Sequence, residues 1–449
     1  MTAHGWRNFA GVLMFSALAS LTAHAQTLQD AKCTGSPDIP WDEQIVGCGT
    51  VIDSGKIAGK DLAMALTYRG RAYQTKGELD RAFADDEQAI RLDPDAAAAI
   101  NGRGNVYFLR KDYDRAIADY SKAVSLDPAY AHAFNNRGNA YAAKGDFDHA
   151  IADYDEVIRL DPKAGYPYSG RGNAYKAKGD IDRALADFEQ EVRLDHKDAV
   201  AFNNRGIAYQ TKGDLDRAMA DYDQAIRLNP TYAVALTNRG LVYQAKGDLD
   251  RAIADYTKAI KLDPKFAIAY NNRGDALMRQ NKIDMAIADF SEAINLDPQH
   301  ALAYGNRGYA HFRTRAFQRA LPDYNAQIKL TPNDVMAHLN RGNVWRSMEQ
   351  LDRAEADYAE VIRLSPNDAR GWRNRGLIRI MKDDFKDSLA DYDKAIERDP
   401  GDACSWNNRG IAKRETNDRA GAIADFKKAL EINPSLQAAR NSLRELGVE

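Results

Sequence analysis

Beyond residue 25 this sequence has no apolar run long enough to span a bilayer, which takes roughly 20 residues, so no membrane span is expected in the mature chain. A charge excess of one sign is missing too. Lys plus Arg number 62 against 65 Asp plus Glu, for a net charge of −3, which leaves no general basic surface for a phosphate backbone and argues against nucleic acid as a partner. The eight histidines never fall at the spacing of a metal-binding pair on one helix, so neither a metal nor a cofactor is expected. Cysteine is scarce, with three residues. Cys33 and Cys48 lie close together, and a disulfide between them would close a loop of about 15 residues, stabilising by roughly 3 kcal/mol in the chain-entropy picture. That usage fits an oxidising compartment. Cys404 is left over and reads as a half-buried small hydrophobe.

The first 25 residues differ from the rest. Arg7 stands near the start, residues 9–21 are apolar or small, and Ala23-His24-Ala25 is a small-x-small cleavage site before Gln26. This pattern predicts a secretory signal peptide at 1–25, and hence a periplasmic or secreted protein. No lipid-attachment signal precedes Cys33.

What the sequence does hold is a period. An Arg-Gly pair recurs with its glycine at Gly70, Gly104, Gly138, Gly172 and onward to Gly410, every step being 34 residues, through eleven units without an insertion. Proline keeps the same spacing from Pro94 to Pro434, with His196 in the one vacant slot. Such self-similarity decides the fold before any local reading does. With Ala63 as position 1 of the first unit, position 8 is always Gly, position 20 is Ala in ten units and Ser388 in the other, and position 24 is aromatic except for Asp86. Small residues facing large ones let two antiparallel helices approach closely. Glycine at position 15 (Gly77, Gly145, Gly179, Gly213, Gly247), or Asn281 and Asn417, predicts a left-handed end to the first helix. Asp146, Asp180, Asp214 and Asp248 then cap the second, with Asp148, Asp182, Asp216 and Asp250 helping in its first turn. The residue before each proline is pushed out of the α region and ends it.

Residues 135–162, NNRGNAYAAKGDFDHAIADYDEVIRLDP, carry the spacing on which the chain resembles the tetratricopeptide repeat family, over residues 63–436. The resemblance implies an all-α fold, a right-handed α-solenoid superhelix of eleven 34-residue helix-turn-helix repeats. Capping elements are expected at both ends, because terminal units would otherwise expose an apolar face. Residues 26–62 are expected to form the N-terminal cap, with Trp41 to Ser54 as a lone second helix stapled by the Cys33–Cys48 bond. Residues 437–449 are expected to form the C-terminal cap, with Leu436, Ala439, Arg440, Leu443 and Leu446 on one amphipathic face and Gly447 as its stop. No room is left for a catalytic domain. Gly102-Arg103-Gly104 superficially resembles a phosphate loop, yet it falls inside a helix and follows no strand.

Two registers depart from the family pattern. Position 7 is Arg and position 23 is Asp in all eleven units, Arg239 and Asp255 among them. Equal numbers and opposite signs on adjacent helices predict a ladder of Arg–carboxylate pairs, within a unit or between neighbours. Position 6 carries Asn136, Asn204, Asn238, Asn272, Asn306, Asn340, Asn374 and Asn408. In the family this helix lines the concave side, and the pattern is similar to the asparagine ladder in the repeat domain of O-linked N-acetylglucosaminyltransferase, whose catalytic region has no counterpart here. The resemblance implies a non-enzymatic scaffold whose groove binds extended segments of other proteins. Asn105, Asn139 and Asn173 extend the amide surface, while Arg346, Arg370 and Arg373, with Arg279, Arg313, Phe312, Leu377, Ile380 and Met381, would favour acidic and apolar segments. A noncatalytic subunit of an envelope enzyme or of a polysaccharide or secretion assembly is the alternative.

Overall fold

The computed structural model describes Leu28 and residues 31–448, so the expected signal peptide lies outside the described residues. Among those residues every regular element is helical. Helices run from Trp41–Asp53 to Gln437–Glu445, and between them each repeat supplies a first helix, A, and a second, B. Unit three, for example, is Ala131–Lys144 followed by Phe147–Leu160. The helices fall into two compact bodies divided after Leu228. One holds the N-terminal helix and units one to five; the other holds units six to eleven and the C-terminal helix. Within each body a helix packs on its neighbours in sequence, and A helices of successive units touch, which makes each an α-solenoid.

Local chemistry explains the boundaries. Gly77, Gly145, Gly179, Gly213 and Gly247 hold φ between 81° and 86°, and Asn281 and Asn417 take 60° and 65° in the same turn. Lys111, Arg315, Glu349 and Asp383 do so as well, at 58° to 62°, although their side chains crowd the left-handed backbone. Asp146, Asp180, Asp214 and Asp248 each accept the backbone N–H three residues on, at 3.0 to 3.3 Å. The aspartates two residues further stand in the first turn of the B helix, and three of them also reach the following unit. Asp148 and Asp182 pair with Lys178 and Lys212, and Asp250 accepts from Gln280, each partner lying 30 residues ahead in the following unit.

The core follows from small against large. A methyl group added to Gly240 would stand 2.5 Å from the Tyr256 ring, and at Gly206 it would stand 2.7 Å from Tyr222. Both rings are fully buried. Across this contact every position-7 arginine grips the position-23 aspartate of its own unit through two bonds, as in Arg239, whose Nε and Nη2 donate to Asp255 at 2.8 and 2.7 Å. In several units the remaining Nη1 reaches back one unit. Arg137 donates to Ser121, Arg273 to Thr257 and Arg341 to Asn325, at 2.8 to 3.2 Å. The ladder therefore works both within a unit and between neighbours.

Both ends are closed. Cys33 and Cys48 are bonded to each other, fully buried, and packed with Leu28, Val51, Ile57 and Ala65. At the other end Ala439 and Leu443 cover Ala422, Phe426 and Ala429, and Gly447 turns the chain at φ 68°.

Candidate functional site

The A helices carry a polar stripe. Position 5 is buried where it is Asn (Asn101, Asn135, Asn203, Asn271, Asn407), and the next residue, at position 6, is half-buried in Asn136, Asn204, Asn238, Asn272, Asn306, Asn340 and Asn408; Asn374 is buried. The two registers interlock. Asn136 Nδ2 donates to Asn101 Oδ1 at 3.0 Å and to Asn105 Oδ1 at 3.1 Å, and Asn306 Nδ2 donates to Asn271 Oδ1 at 3.0 Å. Asn272 and Asn408 accept from the residue before them. Part of the amide capacity is thus spent on joining one unit to the previous one, a use that the position-6 pattern alone did not reveal. Of the three position-9 asparagines in units two to four, Asn105 and Asn139 take the hydroxyls of Tyr120 and Tyr154 at 2.8 and 2.7 Å, whereas Asn173 is exposed.

One turn before the asparagines stands an apolar register that sequence reading missed. Position 2 is Val200 in the first body, then Val234, Ile268, Leu302 and Met336 in the second, all exposed, Leu302 by 63%. The signal was available as aliphatic residues at one position of five successive units. Cys404 occupies the same register and is exposed, as its neighbours in that register are, not half-buried as its residue type suggested.

The basic residues of the later units are unequal. Arg370 is exposed but forks onto Asp368, the cap of its own helix, whose carboxyl it holds below the ordinary range. Arg373 leans on Asp402 at 3.4 Å. Arg279 and Arg313 reach Asp275 and Asn281. Arg346 is half-buried, and its side chain makes no ion pair or hydrogen bond to another side chain among the described residues. Of the predicted basic cluster, Arg346 and Arg313 make no ion pair among the described residues, and Arg313 is held by a neutral amide.

Two buried acids interrupt the pattern. Asp86 replaces the position-24 ring, lies fully buried against Gly70 and Gly102, and accepts from Gln74 at 2.9 Å; burial pushes its pKa well up. Glu191 replaces a core alanine in unit four and is likewise raised by burial, to about 8.

Models described as TPR repeat match residues 104–145, 138–179, 172–213, 243–281 and 274–314, and models described as tetratricopeptide repeat match 199–232, 221–254, 339–403 and 382–437. The chain belongs to the tetratricopeptide repeat family. Among curated proteins no relative matches it. Solved structures similar to it include MamA, at 32% identity over 36% of this chain and 96% of that one, with a TM-score of 0.33. YrrB, described as a TPR protein with an unusual peptide-binding site, is 26% identical over 41% of this chain and 95% of its own, with a TM-score of 0.33. The Cut9-Hcn1 hetero-tetramer of the APC/C aligns over 95% of this chain and 96% of its own at 15% identity, with a TM-score of 0.47. Tetratricopeptide repeat proteins are protein-interaction scaffolds, so the partners of this one are proteins. No helix of the described residues is long and apolar enough to cross a membrane.

Proposed function

We propose that this tetratricopeptide repeat protein acts without catalysis, as a scaffold that binds extended segments of partner proteins along the face of its A helices. The carrying observation is the pairing, repeat after repeat, of an exposed aliphatic side chain at position 2 with a half-buried Asn one turn later. Adjacent packed helices lie roughly 8–10 Å apart and an extended chain advances about 3.3 Å per residue, so each repeat meets about every third ligand residue. The aliphatic side chain offers contact area. Asn Oδ1 accepts a ligand N–H wherever the amide nitrogen is held by the scaffold, as in Asn136 and Asn306. Arg346, whose side chain makes no ion pair among the described residues, supports a preference for acidic segments in the later units. The signal-like sequence at 1–25 and the Cys33–Cys48 bond support action in the periplasm or outside the cell.

The test uses peptides selected from a displayed library against the full chain. Replacing Asn272, Asn306 and Asn340 by Ala should weaken the selected peptides at least tenfold while the chain stays folded at a somewhat lower melting temperature, since Asn272 and Asn306 also bond the buried Asn271. Undiminished affinity in that variant would remove the asparagines from the binding face.

A further inference from the structure

Unit four breaks the repeat at one buried place. Position 27, on the B helix, is alanine in seven units, Ala123, Ala225 and Ala259 among them, but in unit four it is Glu191, 6% exposed on Ile181–Leu194. No Lys or Arg lies within ion-pair distance of it among the described residues, and its Oε2 is buried without a hydrogen-bond partner. Its polar neighbours are Ser169, on the A helix Tyr166–Ala177 of the same unit, and Asn204, on the A helix Ala199–Thr211 of the next. Asn204 Nδ2 donates to Ser169 Oγ at 3.3 Å, bridging the two helices beside the carboxyl. Both bridge residues are half-buried and stand on the A-helix face, with exposed Val200 one turn before Asn204 and exposed Asn173 one turn after Ser169.

The scaffold gains nothing evident from this acid. A buried carboxyl without a cationic partner costs stability, and seven sister units pack the same place with a methyl group. Burial raises its pKa to about 8, with Asp198 and Asp187 pushing the same way and Ser169 and Asn204 opposing, so at neutral pH it carries its proton. Asp187 is held by Arg171, and Asp198 caps the N–H of Val200. What the place does offer is acceptors. Glu191 Oε2, Ser169 Oγ and Asn204 Oδ1 can take the three N–H bonds of one primary ammonium. A lysine presents its three donors as a compact point charge on a flexible stem, whereas an arginine brings a planar fork.

We propose that the seam between units four and five is a subsite for a lysine side chain of the bound partner segment. It rests on the groove reading above and adds to it a fixed chemical preference at one point of the ligand. On entry the ammonium takes the place of the Asn204–Ser169 bond, and Glu191 loses its proton to solvent. The site thereby passes from a neutral acid to a carboxylate–ammonium pair, with one proton released.

Peptides selected at pH 7 from a displayed library against the full chain should carry one lysine at a fixed place. Glu191→Ala, which restores the residue of the sister units, should still capture peptides but lose that lysine, and should bind the wild-type selection at least tenfold more weakly. Calorimetry in two buffers of different ionisation heat should report release of about one proton by the wild type and none by the variant. Lysine selected equally by both proteins, or peptides captured without lysine, overturns the subsite and leaves the groove standing. If neither protein captures a peptide, the groove reading falls as well.

Discussion

Arg137 shows how much one side chain does here: it is 19% exposed on its side chain, forks onto the nearly buried Asp153 and spends its last nitrogen on Ser121 of the unit before. Hydrogen bonding to Asp153 raises the arginine, while burial pushes the Asp153 carboxyl above its ordinary value in spite of that partner. The desolvation of the aspartate thus offsets much of the pair's attraction. Breaking the pair from one side should therefore cost far more than removing it whole. Arg137→Met is expected to lower stability by about 3–5 kcal/mol in urea unfolding, and adding Asp153→Leu to recover most of that loss. A single variant within about 1 kcal/mol of wild type would place the pair among exposed ones. Glu191 gives a second check at this scale. Its folded value, about 8, lies above the ordinary 4.5, so the stability linked to its proton is complete below about pH 4.5 and lost as pH rises through about 8. Glu191→Ala should accordingly gain on wild type from pH 5 to 9, by at most about 5 kcal/mol, and a constant difference across that range would mean the carboxyl is not buried as described.

Among the helices and turns, the left-handed end of each A helix is the informative joint. Five units place glycine there and two place asparagine, but Lys111, Arg315, Glu349 and Asp383 adopt the same backbone at a cost of roughly 1 kcal/mol each. Glu349→Gly should therefore raise the midpoint of urea unfolding, by the equivalent of up to about 1 kcal/mol, because a strained φ of 58° is relieved faster than unfolded-state entropy is added. A lowered midpoint would show that the turn is held by contacts of the Glu349 side chain. These joints also mark how far sequence reading goes. The 34-residue step, the Gly240–Tyr256 contact and the aspartate caps were legible because each recurs at a fixed spacing and depends on residue size, backbone freedom or a short polar side chain. The second reach of Arg137 to Ser121, the Lys178–Asp148 tie and the Asn136–Asn101 bond were not, since they depend on how one unit is set against the next. For the same reason Cys404 was misplaced, and the exposed Ile268, Leu302 and Met336 were passed over as ordinary apolar residues.

At the scale of the whole molecule, stability should be local, because within each body a helix meets the helices beside it in sequence and the A helix of an adjacent unit. Every unit carries its own Arg–Asp fork and all but the first its own Gly–aromatic contact, and within each body bonds such as those of Arg273 and Arg341 tie a unit to the one before it. Energies of this kind add as unit terms plus nearest-neighbour terms. The C-terminal helix covers Phe426 and Ala429 of unit eleven, and the corresponding residues of unit nine, Tyr358 and Val361, are also a ring and a small core residue, equally buried. Deleting residues 369–436, which joins Asp368 to Gln437, should therefore let the same cap close unit nine. The shortened protein is expected to keep its far-ultraviolet helicity per residue and to unfold cooperatively at a lower denaturant midpoint with a smaller m-value, since less surface is exposed on unfolding. Removing the C-terminal helix alone, residues 437–449, should cost more per residue deleted, because it uncovers Phe426 and its neighbours without removing any backbone entropy from units one to eleven. Collapse of helicity on the first deletion would mean that order in the second body depends on its full length, and the neighbour-by-neighbour account would fail.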